Sequence, residues 1–280
     1  MFANVPLINK IALSWQIIPV YIIVFEVTYS VNHYIIFDDK SSSLKKYISL
    51  FIFEPLSIMT IITHLKSMFT NPGYVPIPFS NESSKLPDLS PSNRNEIRND
   101  VYCMKCQNPR PRRSHHCKVC KKCTLKMDHH CHWIANCVGY YNQKNFYQFL
   151  FYATFGDLVG FLLLINSFIN CNKDIKDNIP QGVIIKSAFE LFYYMWTPIN
   201  LMISALCALT MTFGIGYLFY KQTLMLLNNQ TTIDKKLFLN WENSPYYERN
   251  KIKSFKSVMG NSFFSWFSLK FDGYDPYYNL

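Results

Sequence analysis

The chain has 280 residues, of which 49% are hydrophobic and only 16% are charged, and its mean hydropathy is +0.00. That charged fraction is below the roughly 25% of soluble domains, and a zero mean is too low for a chain buried in a membrane from end to end. The net charge of +10 favours anionic partners such as phospholipid headgroups, nucleic acid or a phosphate-bearing cofactor. Disordered, collagen-like and disulfide-stapled classes are excluded, and apolar segments alternating with polar ones are expected.

Four apolar stretches are long enough to cross a bilayer core of about 30 Å, which needs about 20 helical residues. In chain order they are residues 11–31, 47–65, 146–169 and 192–220. The first is too long for a cleaved signal peptide and lacks its basic start and small-residue cleavage pattern, so we expect it to remain. The stretches predict an all-α polytopic membrane protein with four transmembrane helices.

Some residues inside these stretches are unusual for a membrane helix. Glu26, Glu54 and Asp157 carry carboxylates that are costly in a bilayer, so we expect them to hydrogen-bond between helices or to lie near an interface. Gly156 and Gly160 form a G-x-x-x-G pair in the third stretch. This pair predicts close packing of two helices, or alternatively space for a lipid tail between them.

The stretches divide the chain into four parts, which are residues 1–73, the loop 74–145, residues 146–220 and the tail 221–280. The loop carries twelve Lys and Arg and the tail carries eight. By the positive-inside rule both are expected in the cytosol, and an even number of spans then places the N terminus there too. The start of the loop is rich in Pro, Ser and Asn and predicts an irregular surface segment. In the tail, residues 255–271 predict an aromatic segment on the membrane surface, interrupted at Gly260.

Seven of the nine cysteines lie between Cys103 and Cys137, together with five histidines. Tetrahedral structural zinc takes four Cys or His ligands and often begins from a C-x2-C pair. Two such pairs are present, namely Cys103 with Cys106 and Cys117 with Cys120. Two closed sites need eight ligands, so six cysteines and two histidines would complete them and leave one cysteine over.

Cys131 is the best candidate for the remaining cysteine. Asp128, His129 and His130 precede it directly, so a base can lie beside the thiol and a carboxylate can orient that base. An adjacent imidazole also increases the thiolate fraction of a cysteine. The pattern therefore predicts nucleophilic catalysis through Cys131. The alternative is that Cys131 is itself a ligand, in which case the cluster is a zinc module without reactivity.

The run C-x2-C-x9-H-C-x2-C-x2-C-x4-D-H-H-C-x5-C-x4-N-x3-F, from Cys103 to Phe146, resembles the cysteine-rich domain of DHHC-type protein S-acyltransferases (palmitoyltransferases). The four-span layout, with this domain between the second and third spans on the cytosolic face, is also similar to that family. The resemblance implies an enzyme, a protein-cysteine S-palmitoyltransferase of the endomembrane system, in the Golgi or the endoplasmic reticulum. The runner-up is a catalytically inactive, membrane-anchored zinc-binding interaction module.

The resemblance also implies roles for individual residues. Cys131 is the expected nucleophile, acylated by palmitoyl-CoA to a thioester that a cysteine of a substrate protein then attacks. His129 is the expected base and Asp128 the carboxylate that polarises it. Two structural zinc ions are expected, one bound by Cys103, Cys106, His116 and Cys123 and the other by Cys117, Cys120, His130 and Cys137. Expected substrates are membrane-associated proteins whose cysteines lie next to the membrane or in lipidated segments.

A basic stretch surrounds the cysteine cluster and includes Arg112 and Arg113. Together with Trp133 these residues are candidate contacts for coenzyme A, because the arginine fork matches phosphate oxygens. General attraction to an anionic leaflet explains the same charges equally well. Nucleic acid is not an expected partner, because a module placed between two membrane spans has little freedom to enter a groove.

The chain departs from the family pattern at four positions. His132 replaces the proline that commonly follows the catalytic cysteine, and Asn71 replaces the aspartate of an Asp-Pro-Gly motif. Asp234 replaces the glutamate of a Thr-Thr-x-Glu motif, and Ser254 replaces an asparagine in the tail. The changes at Asn71 and Asp234 keep the ability to form hydrogen bonds.

Overall fold

The protein is described by a computed structural model over residues 17–37, 41–76, 102–178, 188–238 and 241–270. Its helices are α1 (Ile17–Val31), α2 (Ser43–Ile48), α3 (Glu54–Phe69), α4 (Gln143–Asn178), α5 (Ala188–Leu227), α6 (Thr232–Leu237), α7 (Lys251–Met259) and α8 (Phe263–Phe267). A π-helical turn, Asn32–Ile36, continues α1, and another, Ser49–Phe53, joins α2 to α3. Most of the described chain is therefore helical.

Among the described residues, three helical segments are long and apolar enough to cross a membrane, namely Ser43–Phe69, Gln143–Asp177 and Met195–Leu227. They correspond to the second, third and fourth predicted spans, so a mostly helical chain with candidate membrane spans is confirmed. Each segment extends beyond the predicted apolar stretch at one or both ends, because helical hydrogen bonding continues through polar ends that hydropathy does not mark. Of the first predicted span, residues 17–31 form α1, and residues 11–16 lie outside the described part of the chain, as do residues 77–101 of the predicted irregular loop.

One compact unit consists of residues 18–62 and 149–219. Its core contains side chains from α1, the π-helical turns, α4 and α5, namely Val27, Val31, Ile35, Phe53, Leu163, Leu164, Leu201, Ala205 and Ala208. Glu26 lies between two of these helices, where its Oε1 accepts hydrogen bonds from Asn200 Nδ2 at 2.9 Å and Ser204 Oγ at 2.9 Å. A Cβ added to Gly160 would lie 3.0 Å from the ring of Phe53, so the helices approach closely at this glycine.

The second unit contains residues 63–148 and 220–280 and includes the cysteine-rich domain. This domain corrects the all-α prediction, because it is built from three two-stranded antiparallel hairpins. Their strands are β1 (Tyr102–Cys103) with β2 (Asn108–Pro109), β3 (His115–Cys117) with β4 (Lys122–Thr124), and β5 (His129–Cys131) with β6 (Asn136–Val138). Such short strands are too small to be stable alone, so the hairpins depend on ligands and neighbouring elements.

The end of α3 is bonded to the third hairpin by two asparagines. Asn136 Nδ2 donates to the carbonyl oxygens of Met68 at 3.1 Å and Thr70 at 2.9 Å. Asn142 Nδ2 donates to the carbonyl oxygen of Ser67 at 3.2 Å. The last carbonyls of a helix have no partner within it, so these two amides satisfy groups that would otherwise need water. They also fix the third hairpin to the helix end.

The tail returns to the start of α4. Gly260, at φ 96°, ends α7, and a new helix, α8, begins at Phe263, so the predicted interruption is confirmed. Residue 271 of the predicted aromatic segment lies outside the described part of the chain. Lys144 Nζ donates to the carbonyl oxygen of Lys270 at 2.7 Å, and Gln148 Nε2 donates to that of Trp266 at 2.7 Å. These bonds hold residues 266–270 beside the first turns of α4.

Candidate active site and metal centres

Two groups of four side chains within the cysteine-rich domain have the composition of metal centres. In each group the three sulfurs and one imidazole nitrogen all lie within 4.8 Å of one another. The groups are Cys103, Cys106, His116 and Cys123, and Cys117, Cys120, His130 and Cys137. These are the two ligand sets that the sequence analysis expected.

The distances within each group fit a tetrahedral zinc ion. Zinc–sulfur bonds of about 2.3 Å place two sulfurs of a tetrahedron about 3.8 Å apart. The Sγ atoms of Cys106 and Cys123 are 3.8 Å apart, and those of Cys120 and Cys137 are 3.6 Å apart. The Nδ1 of His130 is 3.4 Å from the Sγ of Cys120, close to the corresponding nitrogen–sulfur edge. Three thiolates and one imidazole are also a ligand set that structural zinc uses.

Each centre is assembled from one tight turn and one hairpin. In the tight turns the backbone N–H of Cys106 donates to Cys103 Sγ at 3.4 Å, and that of Cys120 donates to Cys117 Sγ at 3.3 Å. We call these C-x2-C turns the first and second knuckles. The hairpins supply the remaining ligands as cross-strand partners, since His116 pairs with Cys123 and His130 pairs with Cys137.

The two centres are copies related by a shift of fourteen residues, which the sequence analysis missed. Cys103, Cys106, His116 and Cys123 are followed fourteen residues later by Cys117, Cys120, His130 and Cys137. The left-handed residue of each knuckle follows the same shift, from Gln107 at φ 50° to Lys121 at φ 57°. A comparison of the sequence with itself would have detected this period.

The same shift leads to Cys131. Fourteen residues after Cys117 and Cys120 stand Cys131 and Ile134, and Ala135 at φ 46° repeats the left-handed residue. Residues 131–134 are therefore a third knuckle in which isoleucine occupies the place of the second cysteine. Isoleucine cannot bind a metal, so the third knuckle lacks the cysteine pair from which each centre begins.

The side chain of Asp128 is 2% exposed and is bonded at both oxygens. Its Oδ2 accepts from His129 Nδ1 at 2.7 Å and from Gln222 Nε2 at 2.8 Å, and its Oδ1 accepts from the backbone N–H of Thr232. The thiol of Cys131 is buried and lies close enough to His129 to contribute to the raised pKa of that imidazole. The structure thus brings together the three sequence-predicted residues in the order carboxylate, imidazole, thiol. The sequence analysis missed Gln222, which has no local signal because it lies 94 residues away in the chain.

The electrostatics of this group favour a charged pair. Burial alone would lower the pKa of His129, but its hydrogen bonds to Asp128 and Cys131 raise it to about 10. Burial alone would raise the pKa of Asp128, but its hydrogen bonds from His129, Thr232 and Gln222 lower it. The edge of the Phe146 ring packs against the His129 ring, with centroids 5.6 Å apart. This arrangement fixes the orientation of the imidazole on both sides.

The three candidate coenzyme contacts differ in their surroundings. The side chain of Arg113 is 1% exposed and forms an ion pair with Asp234 at 2.7 Å, and its guanidinium lies 4.5 Å from the centre of the Tyr246 ring. It is therefore part of the interior rather than a surface group. Arg112 and Trp133 are exposed, with Trp133 at 49%.

Comparison with known proteins identifies the family. Residues 96–237 match the family model described as DHHC palmitoyltransferase. The chain is 33% identical over 226 residues to probable protein S-acyltransferase 12 of Arabidopsis thaliana, covering 78% of this chain and 71% of that protein. The chain belongs to the DHHC palmitoyltransferase family. It is also 30% identical to palmitoyltransferase ZDHHC7 of Rattus norvegicus over 75% of this chain and 62% of that protein. For palmitoyltransferase PFA4 of Candida albicans the identity is 34%, over 70% of this chain and 48% of that protein.

Membership in this family confirms the resemblance seen in the sequence and the enzyme class that it implied. The chain spans less than two thirds of the length of several of these relatives, including 59% of probable protein S-acyltransferase 16 of Arabidopsis thaliana. The described residues of the matched region contain the three hairpins, both metal-binding groups and the residues Asp128, His129 and Cys131.

Three departures from the DHHC family pattern have clear structural partners. Asn71 Oδ1 accepts from the backbone N–H groups of Gly73 at 3.0 Å and Tyr74 at 2.9 Å, as an aspartate oxygen would. Asp234 closes a capping box with Thr231 at the start of α6. Ser254 Oγ donates to the carbonyl oxygen of a residue near the end of α5, Leu226. The side chains of Asn71, Asp234 and Ser254 therefore each form a hydrogen bond with a backbone group.

The fourth departure, His132, lies beside the thiol but points elsewhere. It is exposed, and its ring contacts that of His130, with centroids 5.0 Å apart at 73°. The imidazole that bonds Asp128 and lies beside Cys131 is that of His129. His132 thus packs against His130, which belongs to one of the two metal-binding groups.

Proposed function

We propose that this chain transfers a palmitoyl or other long-chain acyl group from acyl-CoA to Cys131, and from there to a cysteine of a membrane-associated protein. The observation that carries the proposal is the hydrogen bond between His129 and the buried Asp128, beside the thiol of Cys131, in a chain of the DHHC palmitoyltransferase family. A carboxylate that orients an imidazole beside a thiol is the arrangement that nucleophilic acyl transfer requires.

In the first step the Sγ of Cys131 attacks the thioester carbonyl of acyl-CoA while His129 holds the thiol proton. A bond forms between Sγ and the acyl carbon, the bond from that carbon to the coenzyme sulfur breaks, and His129 returns the proton to the departing thiolate. In the second step His129 takes the proton of a substrate cysteine, whose sulfur attacks the Cys131 thioester. Transfer completes when Cys131 recovers its proton, so no oxidant or other reactant is consumed.

Zinc is the metal that the two Cys3His groups fit best. The eight residues would hold two structural ions, each with a closed set of protein ligands and no position for an activated water. Bound zinc supplies folding energy to the short hairpins. The reacting groups are those of the protein chain and the acyl donor.

The proposed topology has four transmembrane helices, with α1 as part of the first and the three long apolar segments as the others. The cysteine-rich domain and both termini are placed in the cytosol, because the basic residues concentrate in the loop and tail. This arrangement would bring Cys131 to the cytosolic face of an endomembrane of the Golgi or endoplasmic reticulum. Substrate cysteines next to a membrane could reach it there, while the acyl chain remains in apolar surroundings.

Arg112 and Trp133 are proposed to contact the coenzyme, since both are exposed in the cysteine-rich domain. An exposed guanidinium can bind phosphate oxygens through its two-pronged geometry. Arg113 is proposed to act differently, by holding the start of α6 through Asp234.

The function is tested by incubating the purified protein with labelled palmitoyl-CoA. We expect hydroxylamine-labile label on the native chain and none on Cys131→Ser. Absence of label from the native chain, or equal label on the two proteins, would overturn the enzymatic function and favour an inactive zinc-binding interaction module. Transfer to a membrane-anchored peptide that contains a cysteine then tests the second step.

A further inference from the structure

The third knuckle raises the question of what holds it in place. In the first and second knuckles both cysteines belong to a metal-binding group, so a bound ion fixes the turn. The third knuckle, residues 131–134, has only one cysteine and belongs to neither group. A turn that carries the reacting thiol nevertheless needs a fixed position, because a displacement of about 1 Å can lower a rate about 100-fold.

A histidine of α3 contacts this turn. His64 is 1% exposed, and its Nε2 lies 3.0 Å from the carbonyl oxygen of Trp133, which is the third residue of the knuckle. A carbonyl oxygen can only accept, so Nε2 carries the hydrogen and donates it. The two residues are separated by 69 positions in the chain. The bond therefore ties the knuckle to a long helix rather than to its own hairpin.

The knuckle is also held in place at its last residue and just after it. Ile134, which occupies the place of the second cysteine, is 0% exposed. Two residues later in the chain, Asn136 bonds carbonyl oxygens at the end of the same helix α3. The third knuckle is thus attached to α3 through the carbonyl of Trp133 and through Asn136, which lies just after the knuckle. In the other two knuckles a bound metal ion would serve this purpose.

We propose that His64 is a positioning residue that replaces the metal at the third knuckle and thereby places the thiol of Cys131 against His129. This inference rests on the proposed function, because it assigns a role in thioester formation. The bond from His64 reaches the backbone of Trp133 rather than a reacting atom. Its effect passes through the backbone of residues 131–133, so it should change the rate of the chemical step more than the binding of acyl-CoA.

The test compares two substitutions of the same buried side chain. His64→Leu fills the space but leaves the Trp133 carbonyl without this donor, whereas His64→Gln has an amide that can donate from a similar distance. Thr60→Val is the matched control, because Thr60 is also buried in α3 and its Oγ1 bonds within the helix, to the carbonyl oxygen of Leu56 at 2.8 Å. The initial rate of Cys131 thioester formation is measured over a range of palmitoyl-CoA concentrations, together with bound zinc.

We expect His64→Leu to lower the maximal rate of thioester formation about tenfold or more, since a buried carbonyl loses its partner and the thiol its fixed position. The apparent KM for palmitoyl-CoA and the bound zinc should match those of the native protein. His64→Gln should recover most of the rate, and Thr60→Val should retain it.

Several results would overturn the assignment. Native rates in His64→Leu would show that the bond does not position the thiol. Loss of zinc together with activity, or equal losses in the leucine and glutamine variants, would make His64 a general structural residue. An increase in KM alone would place it in acyl-CoA binding instead. Absence of label from the native chain would refute the proposed function, and this inference with it.

Discussion

Replacing Arg113 with methionine should destabilise the protein through the buried ion pair with Asp234. The two side chains are 1% and 2% exposed and lie 2.7 Å apart, so the substitution leaves a carboxylate in the interior without its cation. Removing one partner of a buried ion pair costs about 3–5 kcal/mol. The contact with the Tyr246 ring contributes about 1 kcal/mol more. The backbone N–H of Thr231 still donates to Asp234, at 3.0 Å, which reduces the destabilisation. We therefore expect the free energy of unfolding to fall by about 3–5 kcal/mol in total.

This loss can be measured as a lower melting temperature of the purified protein in detergent, followed by tryptophan fluorescence. Each kcal/mol corresponds to about 2–4 °C in a chain of roughly this size, so the midpoint should fall by about 10 °C. Arg112→Met is the matched control, since Arg112 is the preceding arginine but is exposed. Its midpoint should not change, while its apparent KM for palmitoyl-CoA should rise. A native midpoint for Arg113→Met, or equal shifts in the two variants, would refute the reasoning.

Three further predictions follow from the site and the helix packing. Cys103→Ser should lose bound zinc and thermal stability, whereas Cys131→Ser should keep both, and metal analysis showing equal zinc loss would make Cys131 a ligand. Gly160→Ala should be less stable than Gly156→Ala by about 1–3 kcal/mol, because the Cβ added at Gly160 would lie 3.0 Å from an aromatic ring carbon, whereas the nearest neighbour at Gly156 is 3.5 Å away. Both substitutions gain the same helix propensity of about 1 kcal/mol, so equal melting of the two alanine variants would contradict the packing argument. Gln222→Leu removes one donor from the buried carboxylate of the site and should slow thioester formation about tenfold with zinc retained, so an unchanged rate would make that bond dispensable.

The features that sequence reasoning predicted depend on local spacing. A C-x2-C pair brings two sulfurs to one ion because few residues separate them, and the groups that begin with Cys103 and Cys117 are both present in the structure. Apolar stretches of about 20 residues likewise indicate membrane helices directly. The helix ends were less predictable, because hydropathy detects only the part of a helix that would lie in lipid.

The features that sequence reasoning missed depend on distant contacts. Gln222 and His64 are a polar residue and a lone histidine in otherwise apolar helices, and nothing near them in the chain indicates their partners. Arg113 and Arg112 are neighbours in a basic run, yet one is buried and the other exposed. Only the tertiary fold distinguishes them, because Asp234 lies 121 positions away.

The interleaving of the two metal-binding groups has a consequence for how the domain assembles during synthesis. His116 and Cys117 are adjacent in β3, yet they belong to different groups, and successive strand residues point to opposite faces. As the chain leaves the ribosome at about 5–20 residues per second, the second group becomes complete about 1–3 s after the first. During that interval an ion in the first group would already hold β3 through His116, and the next residue, Cys117, is the first ligand of the second group. Loss of the first group should therefore also weaken the second, whose His130 lies in the strand that carries Cys131.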